Sequence, residues 1–104
     1  MRVEQIRSLC EDNSIEVTSH MLQRLSTRGI SFKEVKEVIM CGEIIEDYPL
    51  DYLYPSCLVL GYTIKGRAIH VVIGIGDRKL WLITAYEPEA DKWSDDFRIR
   101  KGNQ

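Results

Sequence analysis

The chain has two histidines among its 104 residues, and each stands where proton or phosphate chemistry is conceivable. His20 lies on the same run as Arg24 and Arg28, spaced four residues apart. At 3.6 residues per helical turn these three form a polar stripe beside the Met21, Leu22 and Leu25 side, which must meet a core. An imidazole can exchange a proton near neutrality while a guanidinium fork holds an oxyanion. A helix N-terminus disfavours imidazolium, which suits His20 to the part of a base. The bland alternative is that His20 caps and packs, and that the arginines are ordinary surface residues. His70 sits in the apolar run from Ile69 to Ile75; it is either a satisfied core histidine or the proton-exchanging group of a sheet face. Taken together, the pattern predicts RNA binding or cleavage.

Composition narrows the setting. A chain of this length with 44% apolar residues builds one core, so residues 1–104 are expected to be a single domain. The formal net charge of −2 excludes a protein that coats nucleic acid by bulk electrostatics, so any RNA contact must be local. Neither a bilayer-length apolar run nor an N-terminal signal segment is visible, which predicts a cytoplasmic protein with no membrane partner. Cys10, Cys41 and Cys57 show no metal-ligand spacing; they read as reduced thiols, and no metal or other cofactor is expected. Acidic residues from Glu87 to Asp96 are followed by Arg98, Arg100 and Lys101. That basic run, with Arg24, is a candidate substrate contact, the alternative being a solvated acidic helix with a basic tail.

The elements that must position these groups follow from periodicity. Val3, Ile6, Leu9 and Cys10 predict a helix over 2–12. Thr18 or Ser19 caps the His20 helix, and Gly29 ends it. Ser31 and Glu34 form a capping box for a third helix, with Phe32, Val35, Val38 and Ile39 buried, that stops at Gly42. Ile15–Val17 is a short strand or an extended entry. The second half changes to strand period: 43–48, 57–64, 69–75 and 80–86, with hairpins near Gly66-Arg67 and Asp77-Arg78. Pro88 is expected to begin a last helical turn through Trp93, which serves as a lid over the sheet's end. Tyr48, Tyr52 and Tyr54 sit in a loop that either stacks on bases or packs over a sheet edge. The class is α+β, with N-terminal helices on one face of an antiparallel β-meander.

Alternation assigns the faces. Pairing Ile64 with Ile69, and Ile75 with Leu80, puts Leu58, Leu60, Tyr62, Ile64, Ile69, Val71, Ile73, Ile75, Leu80 and Leu82 under the helices. Val59, Gly61, Thr63, His70, Val72, Gly74, Trp81, Ile83 and Ala85 fall on the other face, where the glycines suggest a cleft. Thr84 and Tyr86 then belong to the core side, unless a bulge at Gly76 brings them round to His70.

The ordered set Ser19-His20, Arg28-Gly29-Ile30-Ser31, Gly42-Glu43-Ile44-Ile45, Tyr48-Pro49, Leu60-Gly61, His70-Val71-Val72, the segment from Ile83 to Pro88, Trp93 and the ending Phe97 to Lys101 resembles a family of small uncharacterised bacterial domains. It is the family of unknown function numbered four-two-five-eight, and the likeness spans about residues 15–101. That family looks like a branch of the RelE and BrnT type toxin fold. The resemblance implies a metal-independent endoribonuclease of a type II toxin-antitoxin system. His20 and Arg28 would come from a helix, and His70, Thr84 and Tyr86 from the sheet. It implies attack by the RNA's own 2′-hydroxyl, with histidine acid and base groups and a steadying cation. The implied partners are RNA and a cognate antitoxin of zinc-finger or helix-turn-helix type, with self-association left open. The competing expectation is a non-catalytic module that binds a protein, or a second copy, on the open sheet face.

Overall fold

A computed structural model describes residues 2–102; Met1, Asn103 and Gln104 of the expected 1–104 domain lie outside the described residues. Helix α1 (Val3–Glu11) is followed by β1 (Ile15–Glu16), α2 (Ser19–Thr27) and α3 (Phe32–Cys41). The strands β2 (Glu43–Tyr48), β3 (Ser56–Tyr62), β4 (Ala68–Gly76) and β5 (Lys79–Tyr86) complete the order. The helix boundaries have local causes. Thr18 Oγ1 accepts from the Met21 amide at 3.0 Å, satisfying a donor that the first turn leaves free. Gly29, at φ +67°, takes the left-handed conformation that ends α2. Ser31 and Glu34 cap α3 reciprocally, both bonds at 3.0 Å.

The sheet order is β1-β5-β4-β3-β2. The meander is antiparallel, and β1 joins the far edge parallel to β5. All three helices contribute to the core on one face: Ile6, Met21, Leu25, Val35, Val38 and Ile39 pack with Val59, Val71, Ile73 and Leu82. The fold is therefore α+β, helices on one side of a largely antiparallel sheet.

Two register features change the expected faces. The β3–β4 turn closes through Thr63 and Arg67, so Tyr62 pairs with Ala68 and Leu60 with His70. That odd shift from the expected Ile64–Ile69 pairing turns β3 over. Val59 and Gly61 face the helices, whereas Leu58 and Leu60 lie on the His70 side. Gly61 is there because α3 needs the space: a Cβ at this position would stand 2.7 Å from the Val38 carbonyl oxygen. It marks a close helix–strand approach and not a cleft. On β5, the register shifts between the Val72–Thr84 and Ile73–Leu82 pairs, leaving Ile83 as the extra residue of a bulge. Thr84 and Tyr86 thereby join His70, and Ala85 turns to the core. The bulge sits at Ile83 and not at Gly76, with the same effect on these side chains.

The face opposite the helices is also covered. No helical turn runs from Pro88 to Trp93; one reverse turn, Lys92 N to Glu89 O at 3.0 Å, leads into an extended strap. Trp93 and Arg100 bridge antiparallel, and the strap lies across β3 and β4 with Trp93 only 3% exposed. Covered from both sides, β3 is buried from Ser56 to Gly61.

Candidate functional site

The C-terminal end of α2, the end of β5 and the strap border a cleft of about 400 Å³ lined by Arg28, Tyr86, Glu87, Glu89, Lys92, Trp93 and Arg100. Arg28 is the helix contribution. As the C-cap of α2 it extends over the sheet edge, where Nη1 donates to Thr84 Oγ1 at 3.0 Å and to the Ala85 carbonyl at 2.8 Å. Both bonds use Nη1, so Nε and Nη2 are the donors a ligand would meet. Thr84 thus orients the guanidinium.

Behind the cleft lies a layered arrangement centred on His70. The imidazole is 0% exposed. Its Nε2 donates to the Phe97 carbonyl at 2.9 Å, and its Nδ1 lies 3.4 Å from the Tyr86 hydroxyl. Trp93 meets the ring edge-on at a centroid distance of 4.4 Å, and the Arg100 guanidinium lies 4.7 Å from the Trp93 ring centroid. Arg100 is held in turn by Glu46, with Nε and Nη2 at 2.9 and 3.1 Å from the carboxylate. Arg98 pairs with Glu43, Nε to oxygen at 2.6 Å.

Electrostatics follow from this burial. Loss of solvent lowers the His70 pKa, opposed by the Phe97 carbonyl and the Glu46 charge and aided by Arg100. The ring is therefore neutral at physiological pH. Burial also raises the Tyr86 phenol, with Arg100 pulling the other way. Glu46 is held below the usual carboxylate range: burial opposes this, and hydrogen bonds from Arg100 and Tyr48 outweigh it.

The expected site residues divide accordingly. Arg28, Thr84, Tyr86 and His70 converge at one end of β5. His20 does not join them: it is exposed in the first turn of α2, on the helix side, while His70 faces the other side of the sheet. Eight residues of helical rise put its backbone roughly 12 Å from that of Arg28. The expected pair of imidazoles flanking one phosphate is therefore replaced by a single buried imidazole behind a phenol. Arg24 is exposed on α2. Arg98 and Arg100 latch the strap to β2, and only Arg100 of the two lines the cleft. Lys101 is exposed, its amide bonded to the Lys92 carbonyl at 3.0 Å.

Glu46, Lys92 and the Phe97 carbonyl were not visible as site groups. Glu43 and Glu46 share the His70 face only because β2 is irregular between Ile44 and Glu46; three residues apart, regular strands would oppose them. The legible signal was on the partner side, where Arg98 and Arg100 are two apart and so share a face of an extended segment. Among the described residues, no group of three or more His, Cys, Asp or Glu could hold a metal ion, and no helix is long and apolar enough to cross a membrane.

A small α+β domain with a cleft of mixed charge, Arg28, Lys92 and Arg100 beside Glu87 and Glu89, next to a bulged strand is the class that fold and site define. The profile of the domain of unknown function DUF4258 matches residues 17–87, and the chain belongs to that family. The match takes in α2, α3 and the four-stranded meander with Arg28, His70, Thr84 and Tyr86. Trp93 and the ending from Phe97 to Lys101, which close the cleft, lie beyond it. No curated protein matches the chain.

Proposed function

We propose that the cleft binds an RNA phosphodiester and that the protein is a toxin-like, metal-independent endoribonuclease. The observation that carries this reading is Arg28, fixed by Thr84 and the Ala85 carbonyl at the rim of a cleft shared with Lys92, Arg100 and the Tyr86 phenol. Oriented cationic donors are what a pentacovalent phosphorus with growing negative charge requires. Glu46 already neutralises much of Arg100, and Lys92 is paired with Glu89 at 2.9 Å. Arg28 is thus the principal phosphate ligand.

The reaction is an internal transesterification. The 2′-oxygen attacks phosphorus as its proton leaves to water in the open cleft. The P–O5′ bond breaks, and the departing 5′-oxygen recovers a proton from the same water, leaving a 2′,3′-cyclic phosphate and a 5′-hydroxyl. The cleft supplies charge and orientation, and a cognate antitoxin would silence it by covering Arg28. The test is incubation of the purified protein with unstructured RNA oligonucleotides in chelator, the ends being read by mass spectrometry. Cyclic phosphate ends are expected, with Arg28→Ala lowering the rate about a hundredfold. Folded protein that neither binds nor cuts RNA overturns the reading.

The exposed side chains of Leu50, Tyr52 and Leu53, next to the stacked Tyr54–Trp81 pair, favour the second reading, a module that binds another protein. In that case Trp81→Ala abolishes association measured by pull-down, and Arg28→Ala leaves it intact.

A further inference from the structure

We infer that His70 turns the Tyr86 hydroxyl into a hydrogen-bond acceptor toward the cleft, and that this phenol oxygen selects ribose by receiving a bond from the 2′-hydroxyl of a nucleotide neighbouring the one that reacts. The inference rests on the phosphodiester reading and adds the group that tells RNA from DNA.

The argument is one of donor and acceptor bookkeeping in a sealed environment. A backbone carbonyl only accepts, so the 2.9 Å contact of His70 Nε2 with the Phe97 oxygen requires the proton on Nε2. The neutral imidazole has a single N–H, which leaves Nδ1 bare. A bare ring nitrogen only accepts, and the Tyr86 hydroxyl is the group 3.4 Å from it. The phenol's one proton is therefore committed to the protein interior. Its remaining capacity, a lone pair, is what it offers to the cleft that Tyr86 lines.

The surroundings support this polarity. His70 has no exposed surface, so water cannot replace the phenol as a partner for Nδ1. The charged and titratable groups around it are Glu46 from β2, Tyr86 from β5 and Arg100 from the strap, with Trp93 closing the remaining side. Glu46 is occupied by Arg100 and Tyr48. The hydrogen-bonded groups on the ring are thus the Phe97 carbonyl and the Tyr86 phenol.

An acceptor in this place discriminates chemically. Phosphate oxygens only accept and gain nothing from it, whereas a ribose 2′-hydroxyl donates. The cations of the cleft hold the phosphate of RNA and DNA alike, so the ribose preference belongs to Tyr86. His70 is a positioning residue, acting on substrate only through the phenol.

Two measurements test this. Long-range proton–nitrogen NMR correlations on the wild-type protein at neutral pH are expected to show His70 with Nε2 protonated and Nδ1 unprotonated; the opposite tautomer, or a doubly protonated ring, overturns the inference without variants. Binding of matched RNA and DNA oligonucleotides is then compared, with 5′-methylene-phosphonate linkages, which keep the 2′-hydroxyl but have no 5′-oxygen to expel, as the RNA probe and DNA of the same linkage as its control. Tyr86→Phe is expected to lower the RNA-over-DNA affinity ratio about tenfold, mainly by weakening RNA binding. Arg28→Ala weakens both polymers and leaves the ratio unchanged. A ratio unaffected by Tyr86→Phe, with Arg28→Ala still weakening both, overturns the ribose assignment and keeps the phosphate site. Absence of binding to either polymer overturns the phosphodiester reading and this inference with it.

Discussion

At the scale of single residues, geometry decides which cation matters. Arg28 is a fork with one tine tied to the sheet, and a lysine in its place keeps the charge without the tie. Under the proposed function, Arg28→Lys is expected to weaken RNA binding about tenfold, measured by fluorescence anisotropy; equal affinity would mean that charge alone is recognised. The buried histidine makes a separate prediction about pH. Its folded pKa is depressed by burial, so its contribution to stability is complete above the unfolded value of about 6.5 and is lost as pH falls through the folded value. Thermal midpoints are expected to decline between about pH 7 and pH 5, ahead of the loss caused by carboxylates such as Glu46. His70→Gln, which does not titrate, flattens this part of the curve; a wild-type midpoint constant across that interval would contradict a neutral, sealed imidazole.

At the scale of elements, two contacts set the architecture of the site. The strap is held by Trp93 against His70 and by the Arg98–Glu43 and Arg100–Glu46 pairs. The ion pairs are largely exposed and contribute little. Trp93 is buried and carries most of the attachment. Trp93→Ala is expected to cost about 3 kcal/mol in urea denaturation and to open the segment after Tyr86 to proteolysis, whereas Arg98→Ala changes stability by less than about 1 kcal/mol. On the opposite face, α3 sits directly on β3 at Gly61. Gly61→Ala forces a Cβ toward the Val38 backbone, which cannot swing aside as a side-chain tip would, and is expected to cost about 1–3 kcal/mol. A neutral result would show that helix and strand separate easily.

At the scale of the whole molecule, the charge balance limits how the RNA of the proposed function would be held. With a net charge of −2 the protein repels a polyanion overall, and the proposed function needs attraction from Arg28, with Lys92 and Arg100 beside it already paired to Glu89 and Glu46. Releasing counterions from about one to three phosphates of a single strand gives a slope no steeper than about −2 in a plot of log affinity against log salt. A slope steeper than about −5 would require a basic surface elsewhere and would overturn the local-cleft reading.

What the sequence determined by itself was everything that local rules control. The caps at Thr18, Ser31 and Glu34, the Gly29 stop, the apolar stripes and the strand segments follow from propensity and periodicity, and together they specify helices followed by a meander. The Arg28 stripe was legible for the same reason. Tertiary structure alone decided which side of the sheet each strand residue faces. β3 is apolar at every position from Cys57 to Leu60 because both its faces are covered, so alternation carries no information there. The bulge at Ile83 is likewise set by packing around the strand, and it alone brings Thr84 to Arg28 and Tyr86 to His70. The distance between the two imidazoles was decided the same way, by which side of the sheet each element covers.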